Sequence, residues 1–144
     1  MSQVLQGFDA AAVHALWQKA LERRHADPEG AIAGARSLLD AVCRHVLAES
    51  GITSSAPLDL PAAMKMTAEQ LDVAPSHPVQ AAFKRLLADA ASAVDGLGSR
   101  TRPSARHAQL AVNVAGAAAL FIVESWELRV EEEFLEMLDD SKGG

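Results

Sequence analysis

Apolar residues return every three or four positions in successive stretches of the chain, the spacing of helices that each bury one face. From Asp9, a good N-cap, to about Ala26 the stripe consists of Val13, Leu16, Trp17, Ala20 and Leu21. Asp27, Pro28 and Glu29 then restart a helix as cap, first helical residue and first-turn acid. That second helix is predicted to run to Gly51 on Ile32, Ala35, Leu38, Leu39, Val42, Cys43, Val46 and Leu47. Ile52 to Leu58 reads as a loop, Asp59 and Pro61 open a shorter helix ending near Leu71, and Pro75 to Pro78 reads as a turn. A fourth helix places Val79, Phe83, Leu86, Leu87, Ala90 and Val94 on one face and stops at Gly96 to Gly98. After a polar connector, Ser99 to Pro103, Ser104 caps a last and longest helix reaching about Asp140.

The last helix has two halves. Ala108 to Val123 is apolar nearly all round, broken by Gln109, Asn113 and Gly116, which predicts packing on more than one side. Beyond it Trp126, Val130, Phe134 and Leu138 recur every four residues against an acidic face. That stripe predicts a second contact surface, met by the first helix or by a second copy of the chain. The pattern contains no internal repeat and no strand, so the expected fold is an all-α bundle of about five helices in one domain spanning 1–144. Composition agrees: 29 alanines, no tyrosine and few β-branched residues favour helix over sheet.

With 144 residues and 49% apolar content, the chain has material for one real core. The lone Cys43 excludes a disulfide scaffold or a cysteine zinc cluster, and suits a reducing cytoplasm. It lies in an apolar stripe and reads as packing rather than as a nucleophile. Histidines at 14, 25, 45, 77 and 107 have no metal-ligand spacing, so no metal or other cofactor is expected. The N-terminus lacks a signal-peptide pattern, and the longest apolar run, Leu110 to Val123, is shorter than the ~20 residues of a membrane span. A cytoplasmic protein without a membrane partner is expected.

The net charge of −6 does not advertise a nucleic-acid binder, but its distribution is uneven. No acid occurs between Asp95 and Glu124, where Arg100, Arg102, Arg106 and His107 fall; eight acids and one arginine follow from Glu124 to Asp140. Cations at a helix start oppose its unpaired amides and macrodipole. An anion would satisfy both, which makes Arg100, Arg102, Ser104 and Arg106 candidate phosphate-binding residues. Exposed arginines could equally tolerate the cost, or pair with the acidic C-terminal face. Arg100 and Arg102 precede His107 by six and four intervening residues. Such a set could cleave a phosphodiester without metal, His107 moving the proton and Arg100 and Arg102 gripping phosphate. Asn113 is expected to hydrogen-bond a neighbouring helix, with Arg36 as one candidate partner and snorkelling to the surface as the alternative role for that arginine. Arg23 to His25, Arg44 with His45, and Glu131 to Glu133 read as solvated faces.

Two stretches carry a family resemblance. DPEGAIAGARSLLDAVCRHVL, from Asp27 to Leu47, resembles the opening helix of the abortive-infection C-terminal domain. PSARHAQLAVNVAG from Pro103, followed by FIVESW from Phe121, resembles its closing helix; Asp59 to Pro61 and Val94 to Gly98 fit as well. The resemblance covers about residues 27–129 and leaves an acidic helical extension, 130–140. That domain occurs in bacterial phage-defence proteins and is similar to HEPN bundles, many of them dimeric, metal-independent ribonucleases with an Arg and a His four to six residues apart where subunits meet. It therefore implies a homodimer, an RNA substrate and an Arg/His site. The chain departs from the family in the connector: the family's own Arg-Asn-to-His segment is missing, and Gly98 runs almost directly into Pro103. Two expectations result. One is a HEPN-like module of a phage-defence protein that dimerises and binds a partner or anionic ligand, its active connector shortened. The other is a metal-independent ribonuclease using His107, Arg102 and Arg100.

Overall fold

The computed structural model describes residues 9–52, 59–71, 85, 89–90, 92–94, 96 and 103–143. The protein is all-α. Its described helices are α1 (Ala10–Glu22), α2 (Pro28–Glu49), α3 (Leu60–Leu71) and α4 (Ala105–Gly143). Helical residues between 85 and 96 belong to a further helix, which makes five. Of that helix's predicted face, Val94 is buried and Ala90 packs against the core, whereas Val79, Phe83, Leu86 and Leu87 lie outside the described residues. The Pro75–Pro78 turn and the Ser99–Arg102 part of the connector lie outside them too.

Local chemistry sets the ends. Asp9 accepts from the Ala12 amide at 3.0 Å, Asp27 from Gly30 at 3.0 Å and Asp59 from Ala62 at 2.8 Å, so three helices begin on an aspartate cap. Helix α1 stops at Glu22 rather than the expected Ala26. Asp27 must leave helical geometry to cap α2, and its amide closes the intervening turn on the Arg23 carbonyl at 2.7 Å. Helix α2 ends in paired bonds, Gly51 N–H to the Ala48 carbonyl and Ile52 N–H to that of Leu47. This closure needs a left-handed residue, and Gly51 supplies it with φ 78°.

Helix α4 is the spine. It packs most extensively on α2, next on α1 and lightly on α3. Its buried face is mostly alanine (Ala108, Ala111, Ala115, Ala118 and Ala119), with Val112, Ile122 and Val123 filling the gaps. Small side chains let helix axes approach closely, and Ala31 and Ala35 of α2 are buried likewise. Leu39, Val42, Val46, Met64 and Val13 complete the core.

Two expectations about packing change and a third is made specific. Leu16 is 44% exposed, because Val13, Trp17 and Ala20 centre the buried face of α1 and Leu16 lies about a quarter turn from it. Asn113 finds its partner on a neighbouring helix in Trp17, which the pattern did not name: the indole Nε1 donates to Asn113 Oδ1 at 3.0 Å, tying α1 to α4. The tail stripe does not meet α1. Trp126 is the last buried side chain of α4, and Val130, Phe134 and Leu138 stand exposed. Although the run from Leu110 to Val123 is short, α4 as a whole is long and apolar enough to cross a membrane; half of its most apolar window is buried inside the bundle, as in a core helix.

Candidate anion-binding helix start

The start of α4 differs chemically from the other three described helices. Ser104 occupies the N-cap position, and its carbonyl accepts the first helical bond from Ala108 at 3.0 Å. Its hydroxyl, however, turns to the His107 ring, Oγ lying 2.7 Å from Nδ1. The Ser104 amide also donates to Nδ1, at 3.2 Å. His107 thus takes the part that Glu or Gln plays in a capping box, reaching back from the third helical position to the cap's own amide. Among the described residues nothing accepts from the amides of Ala105, Arg106 and His107. Arg106 is exposed and makes no ion pair among the described residues, while Pro103 and His107 are half-buried. Arg100 and Arg102 lie outside the described residues, so of the predicted site Ser104, Arg106 and His107 are the part described together.

The hydrogen bonds assign a chemical state to His107. A backbone N–H can only donate, so Nδ1 is the acceptor and the proton of the neutral ring sits on Nε2. That nitrogen can donate a hydrogen bond in this state. The sequence pointed to His107 as a proton carrier and missed its capping role, although Ser104-x-x-His107 has the capping-box spacing.

The remaining candidates resolve as structure. Glu131 to Glu133 are exposed, and Arg129 Nε holds Glu133 at 3.2 Å. Arg23 pairs with Asp27 at 2.9 Å and Arg44 with Asp40 at 2.8 Å, each one helical turn apart. Their neighbours are less solvated than expected. Arg24 is half-buried and donates to the Leu21 carbonyl at 2.9 Å, where a cation suits the end of α1, and His45 is half-buried. Among the described residues no three His, Cys, Asp or Glu side chains converge as metal ligands would.

Cys43 is fully buried, its Sγ 3.3 Å from Met64 Sδ. Burial pushes the thiol up from its ordinary 9.0 to about 11, the Thr67 hydroxyl pulling weakly the other way and Asp40 adding to the rise. A thiol held protonated in the core is not a nucleophile. Its folded pKa is raised, so the stability it contributes is complete below pH 9 and is lost as pH rises toward 11. Urea unfolding from pH 8 to 11 should show this loss in wild type. Cys43→Ala should show a smaller one, and equal slopes would mean that the thiol titrates freely.

A helical bundle whose longest helix starts on a basic, incompletely capped turn and outruns its core is the class of protein defined here. The chain belongs to the HEPN-like domain family of abortive-infection proteins (Abi_C), which it matches over residues 11–126. The match takes in α1 and stops at Trp126, leaving the tail of α4 outside it. No curated protein and no solved structure matches the chain.

Proposed function

We propose that this chain is a homodimeric, cytoplasmic module of a phage-defence protein that binds a phosphate-bearing ligand at the start of α4. One observation carries the ligand: three first-turn amides that no side chain caps among the described residues adjoin exposed Arg106, in a stretch with no acid between Asp95 and Glu124. Arg100 and Arg102 precede that turn and would add two guanidinium forks for phosphate oxygens. Support for the dimer comes from the outer face of α4, where Leu110 and Leu128 are each 56% exposed. Inorganic phosphate should raise the melting temperature of wild type more than that of Arg106→Ala or Arg102→Ala. Equal shifts in all three would remove the site.

The place of His107 next to Arg106 in the first turn of α4 favours a second reading, metal-independent RNA cleavage. To protonate a leaving oxygen the ring would first take up a proton at Nδ1, giving up the Ser104 amide bond, and the imidazolium would then transfer its Nε2 proton while Arg100, Arg102 and Arg106 hold the phosphate. Incubation with RNA in EDTA separates the two readings. Cleavage by wild type that is lost in His107→Ala would make the protein a nuclease; intact RNA, or equal residual cleavage in both, would leave it a binding module.

A further inference from the structure

The spacing along the outward line of α4 is the same in both directions. Arg106, Leu110, Val114, Ala117, Phe121, Glu124, Leu128, Glu131, Leu135 and Asp139 follow one another at intervals of 4, 4, 3, 4, 3, 4, 3, 4 and 4 residues. Alternation of threes and fours keeps a line on one side of a 3.6-residue helix. Exposure follows it in part: Leu110, Leu128 and Leu135 are each 56% exposed and Ala117 is exposed, whereas Val114 and Phe121 are half-buried and pack against the bundle's own core. The last four positions lie beyond the family match, on the tail that leaves the bundle after Trp126.

A two-fold interface brings the same patch of each copy together, so each contact of one residue with another recurs with the two copies exchanged. We infer that two copies pair their α4 helices antiparallel along this line, about a point between Phe121 and Glu124. Leu110 then meets the partner's Leu135, Ala117 meets the partner's Leu128, and Arg106 meets the partner's Asp139. Large residues face large ones at the ends and Ala117 receives a leucine nearer the centre, while Val114 meets the partner's Glu131 and Phe121 the partner's Glu124. The paired segment is about 50 Å long at 1.5 Å per residue.

Charge selects this direction. Parallel pairing would set seven acids, Glu127 to Asp140, beside the same seven and Arg106 beside Arg106. Antiparallel pairing lays each acidic tail along the other copy's basic helix start, whose own stretch has no acid. The inference rests on the proposed dimer and adds a residue to the proposed site. The tail carboxylate of one copy and a ligand phosphate compete for the Arg106 guanidinium of the other.

Sedimentation equilibrium of the full chain at low salt tests the pairing. Arg106→Glu and Asp139→Arg should each weaken the dimer about tenfold, since two symmetric exposed pairs turn repulsive. The double variant should return to within about threefold of wild type. Geometry is read independently by oxidation, because Cys43 is buried and cannot interfere. Glu124→Cys, beside the two-fold, should cross-link copies. Leu110→Cys, as exposed but roughly 38 Å from its own copy, should not. A dimer indifferent to both charge changes, or one that cross-links through Leu110→Cys, overturns the register and leaves the dimer standing. A wild type that sediments as one chain at 100 µM overturns both, and the tail then serves a different, basic partner.

Discussion

Gly116→Ala should destabilise the protein by about 1–3 kcal/mol, although the same change in an unobstructed helix gains about 1 kcal/mol. The cause is across the interface. A Cβ on Gly116 would overlap the six-membered ring of the Trp17 indole. That ring has little freedom to retreat, because its Nε1 is bonded to Asn113 on the same helix and its face stacks on His14, with centroids 5.9 Å apart and planes 3° from parallel. In a Trp17→Ala background the obstruction is gone and only the helix propensity remains, so Gly116→Ala should then be neutral or stabilising. Urea midpoints of the four proteins check this as one thermodynamic cycle. A penalty that persists without Trp17 would show that the glycine is needed for something other than the indole.

That contact shows where the sequence is legible and where it is not. The caps at Asp9, Asp27 and Asp59 were readable because a cap is settled within four residues. The α2 stripe was readable because every residue from Ile32 to Leu47 that keeps its period is buried. Asn113 announced a partner by its position among apolar residues. That the partner is Trp17 depends on how α1 crosses α4, and Gly116, one turn along the same face, was the local hint of an aromatic neighbour. Leu16 failed because a stripe of five apolar residues is wider than the contact α1 makes. The end of α1 failed because Asp27 serves the next helix. At the site, the excess of cations was written in the sequence, while His107 as a cap ligand was not: hydrogen bonding from Ser104 decides which ring nitrogen is left over. The tail stripe carried the correct sign, an apolar line against acids, but not the fact that Val130, Phe134 and Leu138 stand exposed.

Leu39→Ala and Leu135→Ala remove the same atoms from two helices and should have opposite signatures. Leu39 of α2 is fully buried in the core beneath α4, so its loss leaves a cavity and should cost about 2–5 kcal/mol at every protein concentration. Leu135 of α4 is 56% exposed, so within one chain its truncation should change stability by no more than about 0.5 kcal/mol. The cost of Leu135→Ala should instead appear only as copies associate, as a dimer dissociation constant raised about tenfold and a melting temperature that no longer climbs with concentration. Thermal unfolding of both variants across a hundredfold range of concentration makes the comparison. If Leu135→Ala lowers the melting temperature of dilute protein as far as Leu39→Ala does, the tail is packed within its own chain and the outward line of α4 is not a contact surface. If it leaves the concentration dependence untouched, the two copies meet elsewhere. Equal exposure at Leu128 and Leu135 then reflects a helix that merely outruns its core.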